Sequence, residues 1–190
     1  MRIGIVGMGR QGKRRAEWLS KNKNISGIIA CDIDSKRLVG LGSDYLTTID
    51  QSEAIACSDA VSISVPTNLG VAIAKKAILA GKHVLIEKPM ALSSKDAYEL
   101  VRLADDYGVG LHVGLNMRYR APVIAARKML FEQGCVGRVK FVSAKIGHSQ
   151  FVDTPDDSRF TSSGGPLLDI GTHVLDLALE FAKITCGDYY

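Results

Sequence analysis

The sequence predicts an α/β chain, a doubly wound parallel sheet followed by a smaller, incomplete α+β region. Three observations carry that expectation. Short, continuously apolar, β-branched runs alternate with amphipathic segments as far as Gly114. A glycine-rich turn separates the first apolar run from the first helix-like segment. Beyond Gly114 the alternation stops.

The strand-like runs are Ile3–Val6, Ile25–Cys31, Val61–Val65, Val84–Ile86 and Gly110–Val113. They read as short apolar runs, as expected for strands buried on both faces. Between them Gln11–Ser20, Ser35–Leu41, Asn68–Ala80 and Ser93–Tyr107 read as helices. In the last of these, Ser93 and Asp96 have capping-box spacing. Ala97, Leu100, Val101 and Ala104 share one face, and Gly108 supplies a left-handed stop. Asp44–Thr48 and Ile49–Ala56 add a short edge strand and a helix. Strands and helices in this order imply a parallel sheet with right-handed crossovers.

Further along, Pro122–Gln133 predicts a helix ended by Gly134 and Arg138–Gly147 a long alternating strand. Ser149–Gly165 reads as a polar loop and Leu167–Ala182 as a helix. The boundary is placed near Arg118, dividing a domain over 1–118 from a partial one over 119–190. One strand and two helices cannot cover a sheet of their own. The second region therefore reads as truncated, or as completed by a partner's surface.

Composition narrows the function classes. With 46% hydrophobic and 23% charged residues the chain has the makeup of a folded globular protein. Its net charge of +4 is not gathered into a basic block, so no nucleic-acid partner is expected. There is no apolar run of membrane-spanning length and no signal-peptide pattern, so a cytoplasmic protein without a membrane partner is expected. Cys31, Cys57, Cys135 and Cys186 lie too far apart for a metal knuckle or redox pair and read as reduced thiols.

The first motif is Gly7-Met8-Gly9-Arg10-Gln11-Gly12, directly after a strand and opening a helix. Gly7 permits the tight turn, Gly9 a close approach to a pyrophosphate, and Gly12 close packing of helix on strand. The helix start offers free N–H groups to phosphate. The second apolar run ends in Asp32, twenty residues after Gly12, where an acid can accept from both hydroxyls of the adenine-side ribose. The same charge repels a 2′-phosphate, favouring NAD over NADP. A plain surface aspartate in a turn is the alternative, with Asp34 beside it. Together these features define a Rossmann-type dinucleotide site.

Two further motifs carry chemistry. Val84-Leu85-Ile86-Glu87-Lys88-Pro89 ends a strand in two charges and a proline. Strand carboxyl ends of open α/β sheets face the ligand crevice, which places Lys88 there. A solvated loop lysine is the bland alternative. In Leu168-Asp169-Ile170-Gly171-Thr172-His173, Asp169 and His173 lie four apart on one helix face, and Asp176 follows on nearly the same face. A histidine beside a carboxylate suits acid–base work near neutral pH. It also suits a structural hydrogen bond, and zinc is a competing use. Zinc needs further ligands that no nearby Cys or His supplies, so no metal is expected.

Taken together, these residues resemble the Gfo/Idh/MocA oxidoreductases. The resemblance rests on the glycine turn, Ala60-Val61-Ser62-Ile63-Ser64-Val65-Pro66-Thr67, the Glu-Lys-Pro turn, Val113-Gly114-Leu115-Asn116-Met117-Arg118-Tyr119 and the Asp169/His173 helix. It implies NAD-dependent transfer of a hydride to or from a sugar- or polyol-like substrate. It implies catalytic roles for Lys88, Asp169 and His173. Cofactor contacts are implied at Gly7, Met8, Gly9, Arg10, Gln11, Gly12, Asp32, Pro66, Thr67, Glu87 and Lys88, and substrate contacts at Asn116, Arg118, Asp169 and His173. The family's second domain has a large open sheet that often forms the oligomer interface. Three departures stand out: Gly70 where the family often has a histidine, Ser163 in place of the first of three glycines, and an end soon after the Asp–His helix. The early end favours one alternative, an inactive dinucleotide-binding remnant or sensor, against which the intact Lys88/Asp169/His173 set argues; NAD-dependent glycoside hydrolysis with transient hydride transfer is another.

Overall fold

The computed structural model describes residues 1–135, 140–146 and 167–186. The chain divides into two compact units, Met1–Gly114 and Leu115–Tyr190.

The first unit is a six-stranded parallel sheet in the order β3-β2-β1-β4-β5-β6. Its strands are β1 (Arg2–Val6), β2 (Gly27–Cys31), β3 (Tyr45–Thr48), β4 (Ala60–Ile63), β5 (His83–Ile86) and β6 (Leu111–Val113). The helices are α1 (Arg10–Ser20), α2 (Gln51–Ala56), α3 (Thr67–Leu79) and α4 (Ser94–Asp106). Alternate side chains of each strand point to opposite faces, so the sheet feeds two cores. On one face Ile3, Ile5, Met8, Ile28 and Ala30 pack with Ala16 of α1. On the other, Val6, Ile29, Val61, Ile63, Val84 and Ile86 pack under Ala54, Ile73, Ala77, Ile78 and Leu100 of α2, α3 and α4. Helices on both faces explain why the strands read as unbroken apolar runs. The strand order reverses between β1 and β4, and the crevice beyond the strand ends at such a reversal is where ligands of these sheets bind.

Ends and caps follow local chemistry. Ser93 accepts the Asp96 N–H at 3.1 Å and starts α4 one residue later than the outer edge of the expected segment. Gly108, at φ +63°, ends that segment. One expectation fails outright. Ser35–Leu41 is no helix but a three-residue 3₁₀ turn, Ser35–Arg37. Asp34 caps it through the Lys36 N–H, and Gly40 at φ +78° turns the chain out of the helical region. Leu38 and Leu41 then pack against the Ile3/Ile28 core, which three residues of turn suffice to arrange.

The second unit opens with a 3₁₀ turn, Asn116–Tyr119, and α5 (Ala121–Arg127). The helical course widens over Lys128–Glu132, with the Gln133 N–H donating to the Lys128 carbonyl at 3.0 Å, and stops at Gly134, φ +65°. Leu167–Gly171 is a similar wide turn leading into α6 (Thr172–Cys186). Phe131 and Phe181 meet with ring centroids 5.7 Å apart. The strand expected over Arg138–Gly147 is not present in its described part, since residues 140–146 adopt no regular structure. A strand exists only through a ladder partner for its backbone, and alternation of side chains alone supplies none. The remainder of that segment and the loop expected over Ser149–Gly165 lie outside the described residues. Among the described residues no helix is long and apolar enough to cross a membrane.

Candidate functional site

In the first unit the carboxyl ends of the parallel strands bring the expected cofactor residues to one edge. The chain leaves β1 through Gly7, whose φ of +95° is open to glycine alone at no strain. Its N–H donates to the Cys31 carbonyl at 2.8 Å, tying the turn to β2. Gly9 precedes α1. A Cβ added at Gly9 projects into open space bordered within 4 Å only by Arg37 Nη1, at 3.9 Å. That vacancy, below the unpaired N–H groups of an eleven-residue helix, is the cradle a pyrophosphate requires. Arg10 and Gln11 are exposed in the first turn of α1. Met8 turns its side chain fully into the core and contributes its backbone.

Asp32 ends β2 and is 5% exposed, so the plain surface reading does not hold. Oδ2 accepts the Met8 N–H at 2.7 Å and Oδ1 the Asp34 N–H at 2.9 Å. The carboxylate is thereby aimed from β2 across the glycine turn. Beside it opens a cleft of about 440 Å³ lined by Gly7, Asp32, Ser64, Pro66, Leu69 and Lys76 among others. Pro66 and Thr67 stand at the start of α3, and one face of that helix forms a wall of the cleft. These residues fit a dinucleotide: a glycine cradle for phosphate, a fixed carboxylate for ribose, and apolar walls for the base.

Glu87 and Lys88 follow β5 at the same edge. One Glu87 oxygen accepts from Arg15 at 2.5 Å, and Arg15 also donates to Ser62 Oγ at 2.8 Å. This pair links α1, β4 and the end of β5. A Cβ at Gly114, just after β6, would meet Arg15 Nη2 at 2.9 Å and Glu87 Oε2 at 3.1 Å, so the ends of the paired side chains lie directly over this glycine. Lys88 is half-buried and joined to Pro89 by a cis peptide.

In the second unit Asp169 lies in the wide turn Leu167–Gly171 and His173 in the first turn of α6, one helical turn apart and both partly buried. Thr172 Oγ1 donates back to the Leu168 carbonyl at 3.1 Å. Asp176 follows His173 on α6. It is buried and accepts two bonds from Arg118, Nε at 2.7 Å and Nη2 at 2.5 Å, while Arg118 Nη1 donates to Glu180 at 2.5 Å. The hydrogen bond that Arg118 donates to Asp176 raises its guanidinium above its ordinary range. Arg118, expected to touch substrate, thus fastens the 3₁₀ turn to α6, and Asn116 sits exposed on the same turn. Among the described residues no three His, Cys, Asp or Glu side chains are grouped to hold a metal. Asp176→Ala leaves the guanidinium with Glu180 alone, and loss of about 1.5–3 kcal/mol is expected. Chemical denaturation measures it, and a change no larger than that of Glu180→Ala overturns this role.

Three residues at the nucleotide edge escaped the sequence reading. Ser64 Oγ is buried, has no hydrogen-bond partner among the described residues, and lies on the cleft wall. Arg37 approaches Asp32 Oδ2 to 3.4 Å. Arg15 pairs with a carboxylate 72 positions away, which no periodicity reveals. Cys31 also lines the cleft, and burial, with Asp32 next in effect, pushes its thiol from 9.0 up to about 11. Its protonated form is favoured by folding. That contribution is complete below pH 9 and is lost as pH rises towards 11. At pH 8 a thiol reagent is expected to label the exposed Cys57 and Cys135 and to spare Cys31 in the folded protein. Peptide mass mapping checks this, and equal labelling of Cys31 contradicts it.

Comparison with known proteins places this geometry among relatives. Residues 1–115 match the model of the oxidoreductase family with an NAD-binding Rossmann fold, and residues 124–185 match the GFO/IDH/MocA C-terminal domain. The chain is 29% identical over 181 residues to inositol 2-dehydrogenase of Rhizobium meliloti (strain 1021), covering 94% of this chain and 54% of that protein. It superposes on apo scyllo-inositol dehydrogenase from Lactobacillus casei with a TM-score of 0.77 and 25% identity, over 95% of this chain and 54% of that one. It likewise superposes on GenD2 from gentamicin A biosynthesis, solved in complex with NAD, with a TM-score of 0.76 and 25% identity over 98% and 54%. The chain spans about half the length of these relatives.

Proposed function

The chain belongs to the Gfo/Idh/MocA oxidoreductase family, whose first domain is an NAD-binding Rossmann fold, and on that premise we propose that it takes part in NAD-dependent hydride transfer to or from a sugar- or polyol-like carbinol. The observation that supports this reading best is the shared edge of one sheet. The glycine cradle, the buried Asp32 and the Glu87–Lys88 turn all leave strands at their carboxyl ends. When bound, the nicotinamide supplies the hydride acceptor or donor. The chain's own residues handle the oxygen and its proton. The Lys88 ammonium donates a hydrogen bond to the carbinol oxygen and stabilises the negative charge that develops as its proton leaves. His173 takes that proton in oxidation and returns it in reduction. Asp169, one turn before His173, orients the substrate or tunes the histidine. Inositol and sugar dehydrogenases among the relatives make polyols and sugars the substrate class to try first.

The test is nucleotide binding followed by turnover. At about a hundred times its dissociation constant, NADH is expected to stabilise the protein by roughly 2.7 kcal/mol, seen as a rise in melting temperature. Reduction of NAD⁺ by one of a panel of inositols and aldoses is then expected. Failure of NADH to bind sinks the reading. Binding without turnover on the panel favours the sensor alternative.

A further inference from the structure

Neither Arg15 nor Glu87 lines the cleft beside Asp32, yet their ion pair ends on the residue before Lys88. Arg15 lies three residues after Gly12 and so on the same face of α1, the face turned to the sheet. Its guanidinium divides between two partners. Nη1 donates to Ser62 Oγ on β4 at 2.8 Å, and Nη2 donates to Glu87 Oε1 beyond β5 at 2.5 Å. The site is sheltered: the side chains of Arg15 and Glu87 are 19% and 21% exposed, and Ser62 is buried. The backbone here is tied to both neighbouring strands. The Glu87 N–H donates to the Ile63 carbonyl at 3.1 Å, and the Gly114 N–H donates to the Ile86 carbonyl at 2.8 Å.

These contacts decide what can move. Ser62 stands in the middle of the sheet, in register with Ile5 of β1 and Leu85 of β5. The guanidinium is therefore anchored to the sheet on one side and grips Glu87 on the other. A charge-assisted bond is roughly twice as strong as a neutral one, and the rigid fork of arginine fixes direction as well as distance. With its N–H and its carboxylate both held, Glu87 sets the direction in which the chain continues into Lys88. A misplacement of about 1 Å in a group that acts on a reacting atom costs on the order of a hundredfold in rate. The pair thus has leverage over the Lys88 ammonium from a distance.

We infer that Arg15 is a positioning residue for Lys88: it holds the Glu87 carboxylate against β4 and so keeps the Lys88 ammonium aimed at the reacting oxygen. The inference rests on the reading that Lys88 donates to the carbinol oxygen. Amide hydrogen exchange and kinetics test it in the wild type, Arg15→Met and Arg15→Lys. Lys75→Met, which breaks the Lys75–Glu99 pair between α3 and α4, is the control. In Arg15→Met the amides of Glu87, Lys88 and Met90 are expected to exchange about tenfold faster or more, with those of β2 within about threefold of the wild type. Turnover is expected to fall by about ten- to a hundredfold, with NADH affinity within about threefold. Arg15→Lys, which keeps the charge but not the fork, is expected to lie between the two in both measurements, and it carries the test if Arg15→Met does not fold. Lys75→Met should alter neither. In a Lys88→Met background, Arg15→Met should cost little further turnover, because a residue that acts through Lys88 has nothing left to position. A further loss as large as in the wild-type background marks a merely structural pair and overturns the inference. Exchange that quickens equally on β2, or not at all, also overturns it. The exchange arm needs no turnover, so the two readings fail separately. Faster exchange at Glu87 and Lys88 in a chain that oxidises no carbinol removes the hydride-transfer reading and keeps Arg15 as the residue that fixes the Lys88 turn. Turnover with unaltered exchange removes the role of Arg15 alone.

Discussion

Gly12→Ala is expected to abolish measurable NADH binding and to destabilise the first unit by about 3 kcal/mol or more, at or beyond the upper end for overpacking. A Cβ at this position falls 1.9 Å from the Gly7 carbonyl oxygen and 3.0 Å from its carbon. Neither side can yield cheaply. Gly7 is held at φ +95° by its bond to the Cys31 carbonyl. Its own Cα direction is blocked, since a Cβ there meets the Ser64 carbonyl oxygen at 2.5 Å. Helix α1 has to move instead, and with it Ala16, which is packed on Ile3, Ile5 and Ile28. Displacing α1 also withdraws the N–H groups that face the phosphate, so stability and affinity fall together. Thermal denaturation and NADH titration read the two effects. Gly42→Ala is the control, because a Cβ there meets nothing within 4 Å and the residue is not at positive φ. A Gly12→Ala protein with wild-type melting and affinity contradicts the close packing on which the nucleotide site depends.

The same contact explains why so much of this unit was legible. Three glycines stand at fixed spacing after an apolar run, Gly7 and Gly12 because the fold leaves no room for a Cβ and Gly9 beside open space, and Asp32 lies at the matching strand end. The inner strands were legible because helices cover both faces of the sheet, which makes most of their positions apolar. Where the sequence misled, a local signal had been outweighed. Ser35–Leu41 carries helix-compatible residues and opens with the Asp34 cap, yet the turn ends after Arg37 and Gly40, at φ +78°, takes the chain out of the helical region. Asp176 shares a face pattern with His173, but its carboxylate is taken by Arg118, 58 positions earlier. Arg15 with Glu87 and Arg37 with Asp32 are likewise products of the fold. Their partners meet only after the sheet has been assembled, and hydrophobic periodicity does not encode such pairings.

His173→Ala is expected to lower turnover by about 10²–10⁴-fold, the usual loss when a positioned general base is removed. NADH affinity should stay within about threefold, because the cofactor turn is built entirely from residues of the Met1–Gly114 unit. The loss should fall on turnover while the melting temperature of the variant stays close to that of the wild type. A merely structural histidine predicts a different pattern: a lower melting temperature, with activity lost in step with the folded fraction. Lys88→Met extends the test to the other unit. If Lys88 and His173 act on one oxygen, the double variant should be hardly slower than the worse single variant, since groups that work as a unit are strongly non-additive. Losses that multiply mean that the two act in separate steps. A large fall in NADH affinity on His173→Ala removes the assignment of this residue to proton transfer.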